Sequence, residues 1–123
     1  MLGAARLVAF VSTSDPIAAV GFYRDRLGLE LVESTPFACV FNAAGTMLRV
    51  TVVERVVPAP YTVLGWAVAD LAVSLDRLTA AGIQTLRYED LPQDPLGVWT
   101  SPAGARIAWF ADPDGNLLSL TQS

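Results

Sequence analysis

The sequence predicts an α+β protein made of two consecutive β-α-β-β-β modules, and two observations carry this prediction. Two amphipathic segments each follow an aspartate, Asp15 or Asp70, and each ends at a glycine, Gly28 or Gly82, so the pattern repeats after about 55 residues. Each segment is flanked by short β-prone runs that end in turn residues. The chain is 53% hydrophobic and 16% charged, which is typical of a globular domain with a real core.

In the first module, Arg6–Ser12 reads as a strand because it is a run of apolar and β-branched residues. Asp15 and Pro16 are a typical N-cap and first helical residue, and the helix is predicted over Pro16–Leu27. The strands predicted after it are Leu29–Ser34, Phe37–Asn42 and Met47–Val53.

Residues 56–61 (VVPAPY) carry two prolines and are predicted to be a linker. The second module then begins with a strand at Val63–Val68, followed by a helix capped by Asp70 and ended by Gly82. The strands predicted after this helix are Gln84–Tyr88, Gly97–Thr100, Ala105–Phe110 and Leu117–Thr121. We therefore predict a single domain over 1–123, with modules at about 5–55 and 62–122.

Composition excludes several classes of function. The chain has no histidine, which removes the commonest metal ligand and every catalytic scheme that needs an imidazole. It has no lysine, its arginines are scattered and its net charge is −4, so we expect no nucleic-acid partner. No apolar run is long enough for a membrane span and no signal peptide is recognisable, so we expect no membrane partner. The single cysteine, Cys39, favours a cytoplasmic location.

The segments SDPIAAVGFYRDRLGLELVES and RIAWFADPDGNLLSLTQ resemble the vicinal-oxygen-chelate superfamily over nearly the whole chain. That superfamily includes glyoxalase I, extradiol dioxygenases, fosfomycin-resistance enzymes and bleomycin-resistance proteins. The resemblance implies two βαβββ modules whose mixed sheet curls into a cup, and it implies a homodimer.

Metal-dependent members of that superfamily hold their ion with histidines and glutamates at four strand positions. Carried over to this chain, those positions fall at Val8, at Arg49 or Thr51, at Val63 and at Ser119. None of these side chains is a histidine or a carboxylate, and divalent ions need such donors. We therefore expect no metal, no cofactor, and none of the metal-centred chemistry of the superfamily.

Metal-free members of the bleomycin-resistance type imply that the cup would bind a small, largely apolar molecule. Strand alternation then predicts which side chains line it. The predicted lining comprises Phe10, Ser12, Arg49, Thr51, Val63, Gly65, Ser119, Trp99 and Trp109. The sequence does not fix which way Trp99 and Trp109 point, and each is either core or a stacking surface.

Arg49 is a cation at an inward strand position and needs a partner, either a carboxylate such as Glu54 or an anionic oxygen of a ligand. The leading hypothesis is metal-independent binding of an unidentified small molecule. One alternative is a metal-free lyase or isomerase with Arg49 as oxyanion stabiliser and Glu54, Glu89 or Asp90 as base. Another is a structural or regulatory dimer with a collapsed cup. The loop from Asp90 to Leu96 is either a solvated turn or a flap.

Overall fold

The computed structural model describes residues 1–123 and divides the chain into two units, Met1–Val57 and Pro58–Ser123. Each unit contains a four-stranded mixed sheet and one principal helical segment, in the order β-α-β-β-β. The predicted α+β class and the repeated module are therefore confirmed. No helix is both long and apolar enough to span a membrane.

The first unit has the strand order β1-β4-β3-β2, with β1 parallel to β4 and the other pairs antiparallel. After a short 3-10 turn at Leu2–Ala4, its elements are β1 (Val8–Thr13), α1 (Pro16–Val20), a π-helical segment (Gly21–Arg26), β2 (Glu30–Ser34), β3 (Ala38–Ala43) and β4 (Thr46–Val52).

The first helix begins as predicted, because the Asp15 carboxylate accepts a hydrogen bond from the Ala18 N–H at 3.1 Å. The prediction of one continuous α-helix over Pro16–Leu27 is wrong in its second half, which is π-helical and closes with a bond from the Leu27 N–H to the Phe22 carbonyl at 2.9 Å. A π-helical turn separates successive residues by a smaller angle than an α-helical turn. Phe22 and the adjacent Tyr23 are accordingly both buried, whereas Ile17 is 86% exposed.

The core of the first unit lies between this helical segment and one face of the sheet. Tyr23 is fully buried there and its ring packs 5.7 Å from that of Phe41, measured between ring centroids. The strand residues buried on this face alternate with those of the other face. They are Val11, Thr13, Cys39, Phe41, Leu48 and Val50.

The second unit has the strand order β5-β8-β7-β6, with β5 parallel to β8. Its elements are β5 (Leu64–Ala67), α2 (Leu71–Ala80), β6 (Trp99–Thr100), β7 (Arg106–Ala111) and β8 (Leu117–Gln122). Asp70 caps α2 by accepting a bond from the Val73 N–H, and the Gln122 amide oxygen accepts from the Leu71 N–H at 2.8 Å. The N-terminus of α2 is therefore attached to β8, an interior strand of the sheet.

The predicted strand at Gln84–Tyr88 does not form. Only one ladder-like bond joins that segment to the sheet, from the Leu86 N–H to the Trp109 carbonyl at 2.8 Å. The Gln93 side chain instead satisfies its backbone, because its amide oxygen accepts from the Tyr88 N–H and its amide nitrogen donates to the Leu86 and Gly97 carbonyls. A side-chain amide competes here with sheet pairing.

The DPDGN segment is a turn built around a buried carboxylate. Asp112 accepts hydrogen bonds from the Asp114 N–H, the Asn116 N–H and the Asn116 side-chain amide at 3.0, 2.9 and 2.8 Å. Gly115 has a φ of 86°, which an L-residue rarely adopts. The turn positions β8, and its carboxylate has a structural role.

Candidate functional site

Each sheet has one face packed on its helix and a second face directed away from it, which we call the first and second open faces. On the first open face, Arg49 of β4 lies between Phe10 of β1 and Val40 of β3 in the strand register. Ser12 and Thr51 form the adjacent pair. The structure therefore places the predicted residues Phe10, Ser12, Arg49 and Thr51 side by side.

The first open face carries exposed apolar side chains beside the polar residues Ser12, Arg49 and Thr51. Phe10 is 61% exposed, and Val8 and Met47 are also exposed. Arg49 is half-buried and makes no hydrogen bond or ion pair with any other residue of the chain. Glu54, one predicted partner, is exposed and does not pair with it. The guanidinium is a cation without a counter-charge inside this chain.

On the second open face, Gly65, Ser119 and Trp109 lie opposite one another on three adjacent strands. Val63, immediately before β5, has the same parity as Gly65, and its N–H donates to the Leu117 carbonyl. The structure therefore brings together all the predicted residues of the second module on one face, including the two tryptophans whose direction the sequence left open.

Ser119 is only 8% exposed, and its hydroxyl makes no hydrogen bond within the chain. It leans over Gly65, since a Cβ atom at that position would lie 2.7 Å from the Ser119 Oγ atom. The missing side chain at Gly65 leaves room for this hydroxyl, which can both donate and accept. No buried side-chain oxygen or nitrogen lacks a partner, so the Ser119 Oγ atom reaches solvent and can bond to a water or a ligand.

Trp99 and Trp109 form an aromatic cluster with Tyr88. The indole centroids are 6.2 Å apart, and Tyr88 meets Trp109 edge-on at 5.5 Å. The Trp109 indole N–H donates to the Thr62 hydroxyl at 3.2 Å, which fixes the orientation of its ring. Partial burial raises the pKa of the Tyr88 phenol above its ordinary value. The cluster forms an aromatic wall beside Ser119.

Tyr88 and Thr62 belong to this face and were missed by sequence reasoning. Tyr88 is the last residue of the predicted strand that does not form, and bonds made by its neighbours fix its place. The Arg87 guanidinium donates to the Asp94 and Pro95 carbonyls at 2.6 Å each. Together with the Gln93 bonds described above, these bonds hold the backbone on either side of Tyr88. A periodicity signal cannot reveal such a contact, because residues 84–98 lack regular alternation.

The residues at the superfamily's ligand positions do not fit a divalent metal ion. Val8 and Val63 offer no side-chain donor, Arg49 is cationic, and Thr51 and Ser119 offer only hydroxyls. No three His, Cys, Asp or Glu side chains lie close enough together to form a ligand set. The carboxylates considered as catalytic bases, Glu54, Glu89 and Asp90, are all exposed.

Comparison with known proteins identifies the wider group. The sequence profile described as the Glyoxalase/Bleomycin resistance protein/Dioxygenase superfamily matches residues 5–120. No curated protein sequence matches the chain.

Several solved structures share the fold. A member of the glyoxalase/bleomycin resistance protein/dioxygenase superfamily from Sphaerobacter thermophilus is 24% identical, with a TM-score of 0.75 and 98% of each chain covered. Lactoylglutathione lyase from Agrobacterium tumefaciens is 21% identical, with a TM-score of 0.74, and covers 98% of this chain and 94% of its own. The fosfomycin resistance protein FosX from Listeria monocytogenes is 16% identical, with a TM-score of 0.75, and the coverage is 98% and 93%. At these identities the likeness concerns the fold alone.

Proposed function

Because the chain belongs to the glyoxalase/bleomycin resistance protein/dioxygenase superfamily, we propose that it is a metal-independent member that binds a small, largely apolar molecule. The second open face is the binding surface. This is the mode that the resemblance implies for metal-free members of the bleomycin-resistance type. The homodimer that the same resemblance implies is part of this proposal, and sedimentation equilibrium measures it directly.

The observation that carries the proposal is the unpartnered Ser119 hydroxyl beside an aromatic wall. Ser119 is nearly buried, but its Oγ atom lies over the side-chain-free position of Gly65 and reaches solvent. A flat ligand seated over Gly65 would accept or donate one hydrogen bond at Ser119. Ligand sites in proteins commonly combine an apolar lining with a few placed polar groups.

The aromatic wall supplies the apolar part of this surface. Trp109 is held by its bond to Thr62, so its ring needs little reordering when a ligand binds. Trp99 and Tyr88 each pack against this ring and extend the wall. Tyrosine and tryptophan present large contact areas with few rotatable bonds, which favours the stacking of planar molecules. We therefore expect flat bicyclic compounds to bind better than flexible aliphatic ones of equal size.

No observation favours the catalytic alternative. A lyase or isomerase step needs a base within hydrogen-bond reach of the reacting atom. Glu54, Glu89 and Asp90 are exposed, and none makes a hydrogen bond with Arg49. We accordingly propose binding without turnover.

The test uses the three indole N–H signals in a nitrogen-correlated NMR spectrum of the protein. Neutral bicyclic compounds such as quinoline and 2-naphthol are titrated. We expect the signals of Trp99 and Trp109 to shift with saturation. The Trp66 signal is an internal control, because this ring stacks on Phe110 on the helix side of the sheet, at a centroid distance of 6.3 Å. Movement of all three signals together, or of none with any compound, would contradict the proposal.

Ser119→Ala tests the hydrogen bond separately from the aromatic contacts. A neutral hydrogen bond contributes about 0.5–1.5 kcal/mol, so 2-naphthol should bind about two- to tenfold more weakly to this variant. Naphthalene, which cannot form that bond, should bind equally to both proteins. Tyr61→Leu is the matched control for general aromatic loss, since Tyr61 is an exposed aromatic residue outside the cluster.

A further inference from the structure

The two units carry different charges, although each is built on the same module. The first unit contains five arginines and five carboxylate side chains, so its charges balance. The second contains three arginines and seven carboxylate side chains, so it carries the whole net charge of −4. A surface of one sign raises the local concentration of ligands of the opposite sign. The second unit therefore favours cations.

The second open face itself carries no charged side chain. Next to the row of Gly65, Ser119 and Trp109, the following row across the strands consists of Ala67, Thr121, Ile107 and Trp99. The polar groups of these two rows are hydroxyls and an indole N–H, and their largest groups are aromatic rings. An anionic ligand would therefore find no counter-charge among them.

The three arginines of the second unit all lie away from this face. Arg106 has the strand parity of Ala108 and Phe110, which are buried on the helix side of β7. Arg77 belongs to the last turn of α2, and the Arg87 guanidinium is bound to two backbone carbonyls. The aromatic wall thus has no cation of its own chain against it.

Two unpaired carboxylates stand next to the aromatic wall. Glu89 and Asp90 directly follow Tyr88, so their Cα atoms lie within about 8 Å of its Cα atom. Both residues are exposed, and neither side chain makes an ion pair or a hydrogen bond within the chain. They can attract a cation bound at the wall without giving up a partner.

We propose that the ligand of the second open face is a flat aromatic cation with a delocalised charge, such as an N-alkylated nitrogen heterocycle. This inference rests on the proposed function and adds the charge of the ligand to it. The faces of tryptophan and tyrosine rings attract cations, tryptophan most strongly. A primary ammonium group fits this surface less well, because its three N–H donors need acceptors and the side chains of the face offer only hydroxyls.

The test compares N-methylquinolinium with 1-methylnaphthalene, a neutral molecule of the same shape, by the indole signals of Trp99 and Trp109 in the unmodified protein. We expect the cation to bind about two- to fivefold more tightly, which is the gain of a cation–π contact at an exposed site. Added salt should weaken the binding of the cation alone. Equal or tighter binding of the neutral probe would overturn the inference.

The same titrations separate this inference from the proposed function. If 1-methylnaphthalene shifts both indole signals and N-methylquinolinium does not, the inference fails and the proposed function stands. If neither probe shifts them, both fail. Ser119→Ala should leave the ratio of the two affinities unchanged, because neither probe can form a hydrogen bond with that hydroxyl.

A matched pair of variants tests the part played by the carboxylates. Asp90→Asn removes a charge beside Tyr88, and Asp76→Asn makes the same change at an exposed position of α2, on the other side of the sheet. At about 0.1 M salt, where charges are screened beyond about 10 Å, Asp90→Asn should weaken N-methylquinolinium binding about two- to threefold. Asp76→Asn should leave it unchanged, and neither variant should affect 1-methylnaphthalene. Equal effects of the two variants on the cation would overturn the assigned role of the carboxylates.

Discussion

Replacing Gly65 with alanine adds a methyl group 2.7 Å from the Ser119 Oγ atom, which is closer than real Cβ contacts allow. We expect the hydroxyl to rotate into another rotamer or the strands to shift. Overpacking of this kind costs about 1–3 kcal/mol. The colliding atom ends a short side chain, so we expect the overlap to cost about 1–2 kcal/mol in the free energy of unfolding.

The same substitution should behave differently when Ser119 is already alanine. The nearest remaining atom is then the main-chain oxygen of residue 119 at 3.4 Å, an ordinary contact. Gly65 does not have a positive φ, so alanine fits its backbone and gains about 0.4–1 kcal/mol by restricting the unfolded chain. Gly65→Ala should therefore destabilise the parent protein and leave the Ser119→Ala protein unchanged or slightly more stable.

The double-mutant cycle isolates the contact as a coupling energy of about 1–2 kcal/mol. The four proteins are unfolded with guanidinium chloride and followed by circular dichroism, with unchanged m-values as the condition for comparing them. Ser119→Ala alone should change the free energy of unfolding by less than about 0.5 kcal/mol, because the Ser119 hydroxyl makes no hydrogen bond within the chain and reaches solvent. A Gly65→Ala penalty of the same size in both backgrounds would refute this account of Ser119.

Three further predictions concern stability. In denaturant unfolding, Gly97→Ala should lower the free energy of unfolding more than Gly104→Ala does. Both glycines have a positive φ, which costs an alanine about 1–2 kcal/mol, but only at Gly97 would the added Cβ collide with the Thr85 side chain. Equal losses of stability would contradict this. Burial raises the pKa of Tyr88, so its contribution to stability is complete below the unfolded-state pKa of about 10 and is lost as pH rises through the folded-state pKa. Over that pH range the melting temperature of the parent should fall relative to that of Tyr88→Phe. Parallel curves of melting temperature against pH would show that Tyr88 does not contribute. Zn²⁺, Ni²⁺, Mn²⁺ or Fe²⁺ should give no saturable rise in melting temperature, because any ligand that binds the native state stabilises it. A rise that saturates at micromolar metal would disprove the metal-independent proposal.

Strand alternation was sufficient to group Phe10 with Arg49, because both stand on strands of six or more residues where a period of two can be read. It was insufficient for Trp99, since β6 contains only Trp99 and Thr100. The direction of Trp99 follows from its pairing with Ile107, which places it on the same face as Trp109. Such a pairing is a tertiary fact that a two-residue strand does not encode in its own pattern.

Local hydrogen bonds explain the two secondary-structure errors. The segment Gln84–Tyr88 contains residues suited to a strand, but the Gln93 amide takes over its backbone groups. The second half of the first helix keeps an apolar periodicity, yet its bonds run from Leu27 to Phe22 rather than one residue closer. In both cases the sequence favours a regular strand or α-helix, but a competing pattern of hydrogen bonds forms instead.

The parallel pairing of the first and last strands of each module has a consequence for the order of folding. The β3–β4 and β7–β8 hairpins close over a few residues, whereas β1 must find β4, and β5 must find β8, across most of a module. The entropy lost on closing a loop grows with its length, so the hairpins should be formed first and each parallel strand should be added last. Conservative substitutions in β4 and β8 should therefore slow folding, while those in β1 and β5 should mainly accelerate unfolding.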